Sequence, residues 1–154
     1  MKIKWKEFII CIAIPLAVGL ISSLLTQNSM QLFENINKPS LSPPGWLFPI
    51  VWTILYILMG IASYLIYTSH YYNKNNALFT YEIQLILNFF WSIIFFNLEA
   101  YFLAFIWLVI LWIFILLTTI QFYNINKTAG YLLIPYLIWV TFAGYLNLMI
   151  FLLN

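Results

Sequence analysis

Arginine is absent from this sequence, cysteine occurs once, and only 6% of the 154 residues are charged. Each shortage excludes something. Soluble domains carry charge on about a quarter of their residues, and a chain this short cannot hide a composition that is 65% hydrophobic inside itself. The bilayer is the solvent that remains, so the sequence reads as an integral membrane protein. Six lysines against four acidic residues leave a formal charge of +2, too small and too scattered for a nucleic-acid surface, and no nucleic-acid partner is expected. The lone Cys11 excludes an internal disulfide and any cysteine-cluster metal site, and its apolar surroundings mark it as a buried, inert thiol. Paired carboxylates, a nucleophile beside a base, a phosphate-cradling glycine loop and metal-ligand spacing are all missing. Hydrolytic and phosphoryl chemistry are therefore not expected, nor is a metal or cofactor.

Long apolar runs and aromatic residues, 21% of the chain, are what the sequence has in abundance. Five runs cover about 7–25, 46–67, 79–97, 101–122 and 129–153, with a loop over 26–45. At 1.5 Å per residue each matches a hydrocarbon core roughly 30 Å thick, which predicts an all-α membrane protein, a single domain of five transmembrane helices over 1–154. The first run, behind Lys2, Lys4 and Lys6, resembles a signal peptide. It is longer than a signal core, lacks a small-x-small cleavage site and precedes four similar spans, so it is read as a retained helix. Pro135 is expected to kink the fifth helix. Lys2, Lys4, Lys6, Lys74 and Lys127 fall on one side of this topology and Lys38 alone on the other, which predicts an amino terminus inside and the 26–45 loop outside.

The stretch NKPSLSPPGWLFPIVWTILYILMGIAS is the most structured in its signals. Pro39, Pro43 and Pro44 fix their own φ and push the preceding residues towards extended backbone, so 38–45 is a stiff, non-helical crossing ahead of a helix starting near Trp46. Within that helix Trp52, Tyr56, Met59, Gly60 and Ser63 share one face. In the third helix Gln84, Asn88, Trp91 and Phe95 do the same, and in the fifth Tyr136, Trp139, Ala143 and Asn147. Carboxamides in hydrocarbon need partners, so these faces turn into the bundle, either to bond neighbouring helices or to line a cavity. Indoles beside small and polar residues suit a flat aromatic guest. Trp5 and Trp46, at span ends, read as interfacial anchors, and Trp107 and Trp112 as packing or lipid-facing residues. His70 reads as a solvated loop residue, Glu82 as interfacial or paired, and Glu34 and Glu99 as loop charges.

On these residues the sequence resembles the translocator proteins, also called tryptophan-rich sensory proteins or peripheral-type benzodiazepine receptors. The resemblance covers nearly the whole chain, and its most specific parts are KPSLSPPGW, PIVWTILYILMGIAS, QLILNFFWSIIFF and PYLIWVTFAGYLN. It implies a five-helix bundle, usually a homodimer, with the first loop folded over a pocket for porphyrins, sterols and isoquinoline-type drugs. It also implies that Trp52 and Trp139 match pocket tryptophans linked to light-dependent breakdown of protoporphyrin. The sequence departs from the family pattern in places. Leu32 and Phe33 stand where many members have Trp-Tyr, Leu41 replaces a frequent tryptophan, and Trp107 replaces an acidic residue of the fourth helix. The cholesterol-recognition pattern needs a basic residue beyond Tyr145, and LNLMIFLLN supplies none, so sterol binding through it is not expected. The third helix has no small-xxx-small dimer face.

The leading expectation is thus a membrane protein that binds tetrapyrroles as sensor, carrier or scavenger. Its ligand wall would be Trp52, Tyr56, Gln84, Asn88, Trp91, Phe95, Trp139, Ala143 and Asn147, and its lid Lys38, Pro39, Pro43, Pro44 and Gly45. An enzyme degrading photoexcited protoporphyrin through Trp52 and Trp139 is the alternative, and a structural or assembly subunit the third.

Overall fold

The computed structural model describes residues 2–29 and 34–154. Its long helices are α1 (Trp5–Thr26), α2 (Leu47–Tyr67), α3 (Lys74–Ser92), α4 (Tyr101–Ile125) and α5 (Lys127–Leu153). A 3₁₀ turn, Gln27–Ser29, extends α1, and a π-helical turn, Ile93–Asn97, extends α3. With these extensions, all five helices are long and apolar enough to cross a membrane. The chain is an all-α, integral membrane protein. Around the bundle the helices neighbour one another in the order α1, α2, α5, α4, α3, with α2 also touching α3 across the middle.

Three starts fall earlier than composition alone places them, α1 at Trp5 rather than 7 being the first. α3 begins at Lys74 rather than 79 because its polar first turns are held locally: Ala77 N–H donates to Asn73 O and Thr80 Oγ1 to Asn76 O. α4 continues to Ile125 and α5 begins at Lys127, so the turn expected over 123–128 reduces to Asn126, whose extended backbone reverses the chain while its side chain accepts from Ala129 N–H at 3.2 Å. At the start of α2, Pro49 lies in the first turn, where a missing N–H breaks no helical bond. Pro135 lies inside α5, which runs through it as one helix. The connection from α3 to α4 closes through Glu99, whose φ of 51° is the left-handed conformation that ends helices.

Two sets of contacts define the ends of the bundle. At the lysine-rich end, Tyr64 Oη accepts from the Lys4 backbone N–H at 2.9 Å and its ring meets Phe8 edge to face, joining α1 to the end of α2. At the opposite end, the loop end, Ser29 Oγ donates to Asn97 Oδ1 at 2.6 Å and Asn97 Nδ2 to Leu25 O at 3.0 Å, tying α1 to the π turn. The Asn154 carboxamide accepts from the Asn37 backbone N–H and donates to the Asn37 carbonyl, joining the loop to the end of α5. Between these ends, α1 and α2 are in close contact at two glycines. A Cβ on Gly60 would lie 2.5 Å from Ile12 Cα, and one on Gly19 would collide with the Tyr56 ring. Only hydrogen at these positions permits such contact. Beyond Gly19, towards the loop end, the helices enclose open space.

Candidate functional site

The three faces read from helical spacing all turn inward, and they divide by depth. Towards the lysine-rich end lies a polar network. Tyr56 Oη donates to Asn88 Oδ1 at 2.9 Å, Asn88 Nδ2 to Tyr136 Oη at 2.7 Å, and Tyr136 Oη to Gln84 Oε1 at 2.7 Å. Gln84 Nε2 completes the run with a weak 3.9 Å contact to Met59 Sδ. Gln84, Asn88 and Tyr136 are each 1% exposed. In hydrocarbon each would be costly unpaired, and here α2, α3 and α5 satisfy one another. Gln84 and Asn88, named with the expected ligand wall, do not line the cavity described below but brace the helices beneath it.

Above the network lies a cavity of about 470 Å³, bounded by α1, α2, the end of α3 and α5. Of the expected wall, Trp52, Tyr56, Trp91, Phe95, Trp139, Ala143 and Asn147 line it. Trp52 stacks on Tyr56 with ring centroids 5.6 Å apart and meets Tyr136 edge-on at 6.2 Å. Trp139 lies edge to face with Phe48 at 5.9 Å. Trp91 stacks on Phe95 at 5.3 Å, and its indole N–H donates to Asn147 Oδ1 at 3.1 Å, while Asn147 Nδ2 donates to the Tyr101 carbonyl. Asn147 is thereby a brace for the Trp91 ring as well as part of the wall. The Trp139 indole nitrogen is sealed from open space and finds no partner among the described residues.

Sequence reasoning missed a whole side of this cavity. α1 supplies Leu16, Gly19, Leu20, Ser22, Ser23 and Thr26, and the start of α2 adds Phe48 and Pro49. The only signal for α1 is the cluster of hydroxyls at Ser22, Ser23 and Thr26, since beyond Lys6 and Glu7 the rest of the helix is apolar and shows no preferred face.

None of Lys38, Pro39, Pro43, Pro44 and Gly45 lines the cavity. Their loop is held instead by its own turns, Ser42 N–H to Pro39 O and Leu47 N–H to Pro44 O, and by the Asn37 to Asn154 bonds. Leu41 is exposed, and Leu32 and Phe33 lie outside the described residues. Trp107 does not line the cavity, to whose wall α4 contributes nothing. Its indole N–H donates to the Leu87 carbonyl at 2.8 Å and that of Trp112 to Thr141 Oγ1 at 2.8 Å, so both fasten α4 to its neighbours. Trp5 and Trp46, 62% and 67% exposed, stand at opposite ends of the bundle, where anchors belong. His70 and Glu82 are exposed.

An aromatic cavity closed below by a polar network and held between four helices can take a flat apolar molecule. The TspO/MBR family profile matches residues 11–153. The tryptophan-rich protein TspO of Chlorobaculum tepidum is 43% identical over 148 residues, 94% of each chain. The tryptophan-rich sensory protein of Cereibacter sphaeroides is 33% identical, covering 96% of this chain and 90% of its own. The translocator protein of Homo sapiens is 34% identical over 121 residues, 77% of this chain and 72% of its own. The chain belongs to the TspO/MBR family of membrane proteins.

Proposed function

We propose that this protein binds a tetrapyrrole, a porphyrin in the first instance, in the cavity between α1, α2, α3 and α5, and serves as a sensor, carrier or scavenger of it. The observation that carries the reading is the aromatic wall. Trp52, Tyr56, Phe48, Trp91, Phe95 and Trp139 surround a space of about 470 Å³, within the range of roughly 300–1,000 Å³ typical of sites for small organic ligands. Ring faces and edges favour a flat conjugated guest over flexible acyl chains. The C. sphaeroides relative is named a sensory protein, which supports the sensing arm for this chain. The reading includes a homodimer in a bacterial cell membrane. Titrating protoporphyrin into the protein in nanodiscs tests it: saturable quenching of tryptophan fluorescence is expected, and linear, non-saturable partitioning would leave the assembly-subunit reading instead.

One observation favours a second reading, the light-dependent degradation of the bound porphyrin. Trp52 is stacked on Tyr56 and in edge contact with Tyr136, so an electron lost from its indole has two phenols beside it. Trp52→Phe and Trp139→Phe keep an aromatic surface and are expected to cost about 1 kcal/mol or less in binding. If the indoles donate electrons to the excited ring, illumination of these variants yields no product while Trp107→Phe yields the wild-type amount. Equal product from all three would remove the enzymatic reading.

The lysine distribution sets the proposed orientation, with the lysine-rich end inside. A reporter fused after Asn154 is expected to behave as extracytoplasmic and one inserted within 71–76 as cytoplasmic. The reverse pattern would invert the topology without touching the five-helix bundle.

A further inference from the structure

Of the residues that line the cavity, Leu20 and Ser23 on α1 and Pro49 and Thr53 on α2 are also exposed on the outside of the bundle. The wall residues of α3 and α5 are buried or half-buried, so lining the cavity does not by itself expose a side chain. The exposed members mark where the space inside meets the space outside, and they belong to two neighbouring helices.

Helical spacing puts this edge in the seam between α1 and α2. On α1, Ile12, Leu16, Gly19 and Ser23 recur at i, i+4, i+7 and i+11, and on α2 Pro49, Thr53, Tyr56 and Gly60 do the same. The two stripes pack together where Gly60 meets Ile12 and Gly19 meets the Tyr56 ring. Towards the loop end the same stripes carry Ser23, Pro49 and Thr53, which are exposed rather than packed. At 1.5 Å per residue, Thr53 and Pro49 stand about 10 and 16 Å from the level of Gly60. Both helices are still within their membrane-spanning lengths there, since α1 runs on to Thr26 and α2 begins at Leu47. The opening therefore gives onto hydrocarbon in the loop-end half of the bilayer. At the loop end itself the described residues are tied across, Ser29 and Leu25 to Asn97 and Asn37 to Asn154. Thr53 Oγ1 donates to Pro49 O at 2.7 Å, so the α2 lip keeps no side-chain proton free.

We propose that the ligand enters and leaves sideways, through a mouth between α1 and α2, and that the source it is drawn from is the loop-end leaflet of the bilayer. A flat apolar molecule concentrates in lipid, and a passage that opens in hydrocarbon lets it reach the cavity without returning to water. The inference rests on the reading of the cavity as a ligand site, and adds the route and the phase from which that site is filled.

The test uses the full chain in nanodiscs. Ala143→Cys, combined with Cys11→Ser, places the one thiol inside the cavity, and the lipid-soluble, flat reagent N-(1-pyrenyl)maleimide reports how fast it is reached. Thr53→Trp and Leu20→Trp each set an indole on one lip, at positions already exposed to lipid, and are expected to slow labelling about tenfold. Asn154→Ala frees the loop from α5 and is expected to leave the rate within about twofold. Unchanged labelling in both tryptophan variants, or faster labelling in Asn154→Ala with no effect of the lip variants, would overturn the mouth. Stopped-flow quenching by protoporphyrin gives a second measurement. In Thr53→Trp its on-rate and off-rate are expected to fall together, with Kd within about twofold, as a narrowed passage requires. A faster off-rate with an unchanged on-rate would make Thr53 a wall contact and overturn the mouth. If the lip variants slow labelling but protoporphyrin does not bind saturably, the mouth stands and the porphyrin reading falls. If protoporphyrin binds saturably and neither labelling nor its rates respond to the lip variants, the mouth is removed and the porphyrin reading stands.

Discussion

Ala143→Trp is expected to lower protoporphyrin affinity by roughly 100-fold, about 2.8 kcal/mol, while leaving the bundle folded. Ala143 lines the cavity on α5, one turn from Trp139, and is itself 8% exposed. An indole added there enters open space rather than a packed core, so the penalty of overpacking is small. The same indole occupies the volume a tetrapyrrole needs between the α2 and α5 aromatics. Thermal unfolding of the apo protein measures the first effect and fluorescence titration the second. Trp107→Phe is the control, because Trp107 lies outside the cavity wall and its loss removes only the bond to Leu87 O. Retained affinity in Ala143→Trp would place the ligand elsewhere.

The largest expected loss of stability comes from Asn88→Leu. Asn88 accepts from Tyr56 and donates to Tyr136, and its removal leaves both phenols to find new partners in a site sealed from water. Two competing magnitudes decide the size of the effect. Buried polar groups left unsatisfied in soluble proteins cost about 1–3 kcal/mol each, whereas interhelical hydrogen bonds within membranes average about 0.6 and reach about 1.7 kcal/mol, because the unfolded helices also find partners in lipid. Two such bonds give an expected loss of about 2 kcal/mol. Trp112→Phe, which removes one bond at the bundle surface, is expected to cost about 0.5 kcal/mol. Unfolding in mixed micelles orders the two. A smaller loss in Asn88→Leu than in Trp112→Phe would mean that the buried network is not what holds α2, α3 and α5 together.

Legibility in the sequence differs between elements for physical reasons. Spacing of 3.6 residues fixes the side of a helix on which a residue lies, and so Trp52 with Tyr56, Gln84 with Asn88 and Trp91, and Tyr136 with Trp139 are all legible as inward faces. Spacing says nothing of the depth at which one face meets another. Asn88 and Trp91 are three residues apart on one face, yet one braces the helices and the other walls the cavity, because α1 leans on α2 at Gly60 and Gly19 and leaves room only beyond them. α1 itself carries no periodic signal, so its contribution to the wall emerges only in the packed bundle. The proline loop is legible as a stiff crossing. That it is tied to the end of α5 through Asn37 and Asn154 depends on where a residue 117 positions away comes to rest.

The most direct measurement is an experimental structure of the protein with protoporphyrin bound. The macrocycle is expected between α1, α2, α3 and α5, with its rings against Trp52 and Trp139 and its inner edge above Tyr56 and Asn88. Density for the macrocycle on the lipid-facing side of α4, or at the loop end outside the bundle with the cavity empty, would contradict the assigned site.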